Sequence, residues 1–350
     1  MKENLRLWSF LCIQMNKRVK YLVFFVLGSL TALAGYFIGR LTFTQPNSDV
    51  PGKAVVRSSE INEYRLGGYT YINPLLECDN YHPSPLNSVA QMQQKVISYI
   101  NTAKEQNKAT FISVYFRDLN FGPWMGIHES EKFSPANLLR VPIMIAALKK
   151  EDAQPGFFKQ QVKYNSRIIK PVDEPLSSSL IKPGAKYSIE DLVNRMILNS
   201  DYEAKALLEQ QLDAGFIMTV MSDIGVNTAG NIDSILVSVR DYSGFFRLLY
   251  NATYLSRAMS EKALGILSTN NYDKGIAAGI PRGTQIAHKF SESAVTGSGQ
   301  KQLHECGIIY LAGSPYLLCI MTRGNDNTQL SGIISDISRL VYEEVTATKQ

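Results

Sequence analysis

The sequence predicts an α+β fold in which both ends of the domain build one antiparallel sheet beside a central helical block, with a single transmembrane helix ahead. Three observations carry that prediction. Strand-like runs lie near residues 109–127 and return at 285–322. The stretch between them, about 134–269, is patterned mostly at helical spacing. Tyr21 to Gly39 (YLVFFVLGSLTALAGYFIG) contains no charge.

That uncharged run, at ~1.5 Å per residue, makes a helix of about 28 Å, which fits a hydrocarbon core of about 30 Å. It exceeds an ordinary signal-peptide core, and Phe37-Ile38-Gly39-Arg40 offers no small-residue cleavage site, so it is expected to stay as an anchor. Lys17, Arg18 and Lys20 abut its start, with Lys2 and Arg6 further back, whereas Arg40 is the only immediate charge beyond it. The positive flank keeps residues 1–20 in the cytoplasm and sends the remainder outside the cell membrane, as a single-pass protein.

Residues 40–85 are weakly periodic and punctuated by Gln45-Pro46-Asn47-Ser48 and Pro51-Gly52, as expected of an extracytoplasmic tether. Within it, Tyr69 to Cys78 is apolar enough to be expected to pack against the domain, which spans 86–350. Asn87-Ser88 caps a helix with Val89, Met92, Val96, Ile97 and Ile100 on one face. Ala109 to Arg117 alternates, and Gly122 to Ile127 follows as the second arm of a hairpin.

Helices are predicted next at Pro135 to Lys150, from Ser188-Ile189-Glu190-Asp191 onward, and at Asp201 to Leu212, Val239 to Leu255 and Ser260 to Leu267. Strands are predicted at Gln285 to Lys289, Glu305 to Leu311 and Tyr316 to Thr322, the last two joined through Ala312-Gly313-Ser314-Pro315. An amphipathic helix over Gln329 to Val345 ends the chain.

Charge and cysteine usage narrow the function. A net charge of +5, with Lys and Arg scattered, argues against a nucleic-acid partner. Cys12 lies on the cytoplasmic side and stays reduced. Of Cys78, Cys306 and Cys319 at most two can pair, and the last two, inside apolar strands, are read as small buried hydrophobes. No Cys or His spacing suggests a metal site, and no cofactor is expected.

Three short blocks carry the chemistry. Phe133-Ser134-Pro135-Ala136-Asn137-Leu138-Leu139-Arg140-Val141-Pro142 precedes an apolar helix; Leu192 to Leu208 contains Ser200-Asp201-Tyr202; Ile286 to Ser291 contains Lys289-Phe290-Ser291 and is followed by Glu305 to Tyr310. In that order and spacing they resemble the S-x-x-K, S-D-N and K-T-G motifs of class A β-lactamases and related penicillin-binding domains. The resemblance covers roughly Leu86 to Val345. It implies the fold above, and it implies that Asn137 and Lys289 face each other across one cleft.

It also implies a damaged site. Acyl transfer in this family uses a Ser hydroxyl at a helix start, a Lys one turn on to take its proton, and donors for the oxyanion. Asn137 stands at the Ser position and carries no usable nucleophile, while Arg140, at the Lys position, stays charged and cannot act as a base. Tyr202 replaces the Asn of the second motif, and Phe290-Ser291 replaces Thr-Gly of the third. Between Glu209 and Glu261 no Glu is available for deacylation; only Asp213, Asp223, Asp233 and Asp241 supply carboxylates.

Other candidates have plainer roles. Ser179-Leu180-Ile181-Lys182 and Ser298-Gly299-Gln300-Lys301 are chance S-x-x-K matches in turn-rich stretches. Ser134, a spare hydroxyl, is read as the N-cap of the Pro135 helix, and His288 as a hydrogen-bonded strand residue. Two functional readings follow. One is an inactive, membrane-tethered β-lactamase-like domain binding a cell-wall or protein ligand, with Arg140, Lys289, Ser200 and Ser291 forming a positive pocket for a carboxylate. The other is a serine hydrolase of the same class using a different Ser.

Overall fold

The computed structural model describes residues 62–79, 86–120, 122–165, 181–226, 228, 234–294 and 298–347. The anchor expected at 21–39 lies outside them, and among the described residues no helix is long and apolar enough to cross a membrane.

Two strands, β1 (Asn62–Arg65) and β2 (Leu75–Asp79), form a small hairpin. The chain continues through α1 (Leu86–Glu105), β3 (Phe111–Asp118) and β4 (Trp124–Ile127). The helical block comprises a 3-10 turn (Ala136–Leu139), α2 (Arg140–Ala153), α3 (Ile189–Leu198), α4 (Tyr202–Leu212), α5 (Ala214–Asp223), α6 (Val239–Asn251) and α7 (Arg257–Ser268). A minor pair, Gln161–Lys163 with Lys186–Ser188, interrupts it as β5 and β6. β7 (Ile286–Ala294), β8 (Lys301–Ile309), β9 (Tyr316–Gly324) and α8 (Asn327–Ala347) complete the chain.

The main sheet has the order β4-β3-β9-β8-β7 and is antiparallel throughout. Strands from both ends of the domain therefore meet at the β3–β9 pair, as predicted. Alternating side chains split its two faces. Ile112, Val114, Phe116, Leu318 and Ile320 pack against α1 and α8, whereas Tyr115, Ala287, Ile308, Leu317 and Met321 pack against the helical block.

Several boundaries differ from those predicted, each for a local reason. The helix expected from Pro135 begins as α2 only at Arg140. Pro142 in its first turn has no N–H to offer the Leu138 carbonyl, which instead accepts from the buried Tyr242 hydroxyl at 2.9 Å. Ser134 is consequently not a cap: the 3-10 turn has Pro135 at its N-cap without a side-chain bond, and Ser134 is exposed. The helix expected to reach Leu255 stops at Asn251, where Ala252 turns left-handed at φ 49.

Part of the region expected to be tether belongs to the fold. The backbone N–H groups of Thr70, Tyr71 and Ile72 all donate to the Glu261 carboxylate on α7, at 2.8–3.2 Å. Arg65 donates to the carbonyls of Asn73 and Leu119, and Tyr310 donates to the Tyr71 carbonyl. The apolar Tyr69–Cys78 stretch thus docks on the domain, as its composition suggested.

The cysteine reading is corrected. Cys306 and Cys319 are buried among apolar neighbours but are bonded to each other, directly opposite across β8 and β9. Cys78 is the register partner of Glu63 in the small hairpin.

Candidate functional site

The site forms where the 3-10 turn and the α3–α4 corner meet β7. Strand alternation puts Lys289 and Ser291 on the same face of β7, towards the helical block. The α3–α4 corner is set by its caps: α3 opens on Ser188, whose hydroxyl accepts from Asp191 N–H, and α4 opens on Asp201, whose carboxylate accepts from Ala204 N–H at 3.1 Å. Two non-glycine residues here hold left-handed backbone, Ala136 at φ 44 and Ser200 at φ 50. Such strain, about 1–2 kcal/mol per residue, is tolerated where surrounding contacts fix the chain.

The residues singled out in the sequence are brought together. Lys289 Nζ donates to the Ile197 carbonyl at 2.9 Å and to Ser200 Oγ at 2.8 Å. Arg140 Nη2 donates to the Ser200 carbonyl at 2.8 Å. Asn137 N–H donates to Ser291 Oγ at 2.9 Å, tying the position of the first motif to the strand of the third. Tyr202 begins α4 with its ring within 5.7 Å of the Lys205 ammonium, and Phe290 stacks on Tyr272 at 3.8 Å.

Burial decides what these groups can do. Asn137 is 4% exposed, Arg140 1%, and Lys289 and Ser291 0%. The hydrogen bonds described for Arg140, Lys289 and Ser291 run to Ser200, Ile197 and Asn137 inside the protein. Burial, with the Arg140 guanidinium nearby, holds the Lys289 ammonium well below its ordinary pKa. Asn137 Oδ1 is buried without a hydrogen-bond partner.

Of the described carboxylates after α4, Asp223 and Asp241 have structural duties, and Asp213 is exposed. Asp213 adopts φ 64 between α4 and α5; Asp223 accepts from the Tyr254 hydroxyl; Asp241 closes the capping box of α6 with Ser238 and pairs with Lys132. Asp233 lies outside the described residues. Of the two literal S-x-x-K strings, Ser298 to Lys301 is a turn entering β8, and Ser179 falls outside the described residues.

His288 points away from Lys289 and hydrogen-bonds Glu305 Oε1 at 2.6 Å, both fully enclosed, while Glu305 Oε2 accepts from Ile276 N–H. Sequence reasoning missed His304. It lies opposite Ser291 in the β7–β8 register, accepts from Thr322 N–H, contacts Phe133 edge-on, and burial pushes its pKa down to about 3. Its position two residues from Cys306 in an alternating strand was the available signal. Among the described residues no group of three or more His, Cys, Asp or Glu side chains is placed to hold a metal ion.

Residues 94–345 match the model of the beta-lactamase enzyme family. This chain belongs to that family. Among solved structures, this family member resembles a β-lactamase from Chitinophaga pinensis, with a TM-score of 0.64 and 18% identity over 72% of this chain and 98% of that one. It resembles PBP-A with a TM-score of 0.62 and 20% identity over 77% of this chain and 100% of that one. A class A β-lactamase from Mycobacterium abscessus gives a TM-score of 0.62 and 18% identity, covering 73% and 100%. At such identities the likeness is one of fold. No curated protein matches the chain.

Proposed function

We propose that this member of the β-lactamase family is a non-catalytic domain, displayed outside the cell on the Tyr21–Gly39 anchor and serving as a binding or scaffolding module. The observation that carries the reading is Asn137: the nucleophile position holds a buried amide whose backbone N–H is bonded to Ser291. Arg140 supports it, because a guanidinium cannot relieve a nucleophile of its proton near neutral pH. The carboxylate pocket expected from Arg140, Lys289, Ser200 and Ser291 has less support, since all four residues are buried and Arg140 and Lys289 donate to Ser200 and Ile197. A protein or cell-wall partner would then engage another surface.

A second reading, a serine hydrolase with a different nucleophile, has one observation in its favour. Ser200 Oγ accepts a hydrogen bond at 2.8 Å from Lys289 Nζ, a buried Ser–Lys pair whose ammonium is held well below its ordinary pKa by burial. Ser134, exposed and outside the hydrogen-bonded cluster, is the poorer candidate. Nitrocefin hydrolysis separates the readings. No turnover by the native chain is expected; turnover abolished by Ser200→Ala would establish the hydrolase instead. The anchor is tested by adding protease to spheroplasts, which should digest the domain, whereas full protection would reverse the orientation.

A further inference from the structure

We infer that Ser291 is a third disabling residue, whose hydroxyl occupies the backbone donor that an acyl-transfer oxyanion would require. The inference rests on the non-catalytic reading above and extends it from the missing nucleophile to the missing anion site. The N–H groups that open a helical segment have no intrahelical acceptor, so they are available to a ligand. Where a nucleophile sits on such a turn, its own N–H is one of the donors aimed at the developing oxyanion. At position 137 that donor is already bonded to Ser291 Oγ at 2.9 Å.

The contact is held from both sides. Ser291 is fully buried in the nine-residue β7, opposite His304 in β8, so a regular strand rather than a loop fixes its hydroxyl. Ala136, left-handed at φ 44, sets the direction in which the chain enters residue 137. The Asn137 side-chain oxygen makes no hydrogen bond, so residue 137 meets the strand through its main-chain N–H. An incoming carbonyl oxygen would have to displace Ser291 from an enclosed bond before that N–H became available.

It follows that repairing the nucleophile and base by Asn137→Ser with Arg140→Lys is not enough. In the repaired step the introduced hydroxyl oxygen forms an ester with the β-lactam carbonyl carbon as the ring C–N bond breaks. The hydroxyl proton passes through the introduced amine to the ring nitrogen. The transient charge on the carbonyl oxygen needs the N–H at 137, and Ser291→Gly frees it.

The test uses the full chain in detergent and a fluorescent penicillin, with thermal melts confirming that each variant is folded. Adding Ser291→Gly to the double variant is expected to raise the labelling rate about 100-fold, the usual value of one oxyanion donor. If the glycine variant fails to fold, Ser291→Ala removes the same oxygen and should act in the same direction. Equal labelling of the double and triple variants would overturn the inference, as would a folded triple variant that takes no label. Labelling of the unaltered chain would overturn the proposed function and this inference together.

Discussion

At the scale of single residues, Asn137, Arg140, Ser200, Asp201 and Lys289 were legible because each sits at a fixed offset from an apolar pattern that survives. What the residues do to one another was not legible, since Asn137 and Ser291 are 154 positions apart and meet only through tertiary packing. His304 illustrates the same limit: its place two residues from Cys306 in an alternating strand signals a buried position, but not that burial lowers its pKa to about 3. Its unfolded value is near 6.5, so between those limits the unfolded chain binds the extra proton and stability rises with pH. Lowering the pH from 7 to about 4.5 should therefore cost about 2–3 kcal/mol through this residue. His304→Asn, which has no such proton to bind, should flatten the acid limb in urea titrations; an unchanged limb would show that other groups set it. Lys289 acts with the same sign in a higher window, from its lowered folded pKa up to its ordinary unfolded one.

At the scale of elements, caps and alternation located most helices and strands, and Ser188 caps α3 as predicted. The predicted strands at 285–289 and 305–311 were extended or shifted to Ile286–Ala294 and Lys301–Ile309, because a buried sheet accepts polar residues such as Ser291 and His304 that break the apolar run. Helix α5 was missed because Ala214 to Met221 is apolar on consecutive positions and offers no single face. The docking of 62–79 depends on Glu261, whose carboxylate takes three consecutive backbone N–H groups. Glu261→Ala leaves those donors unmet and should cost about 1–3 kcal/mol. Limited proteolysis should then cut within 62–79 well before the core of the domain. Unchanged cleavage kinetics would mean that Arg65 and Tyr310 hold the segment without it.

At the scale of the whole molecule, the return of strand character after a helical block predicted a sheet closed by both chain ends, and the β3–β9 pairing is that closure. The Cys306–Cys319 bond joins the neighbouring strands β8 and β9, beside Lys289 in the register. Alkylation of the unfolded, unreduced protein should leave both sulfurs unmodified, and modification of both after reduction only would confirm the pairing. Modification before reduction would return them to the free, buried thiols first expected.

The central claim, that the frame of the family persists without its acylation chemistry, meets its most direct test in the intact mass of the native protein after prolonged exposure to penicillin G. The mass is expected to remain that of the unmodified chain, because Asn137 offers no nucleophile and Arg140 no base. A stoichiometric increase equal to one penicillin, mapped to any serine of the site, would contradict the account.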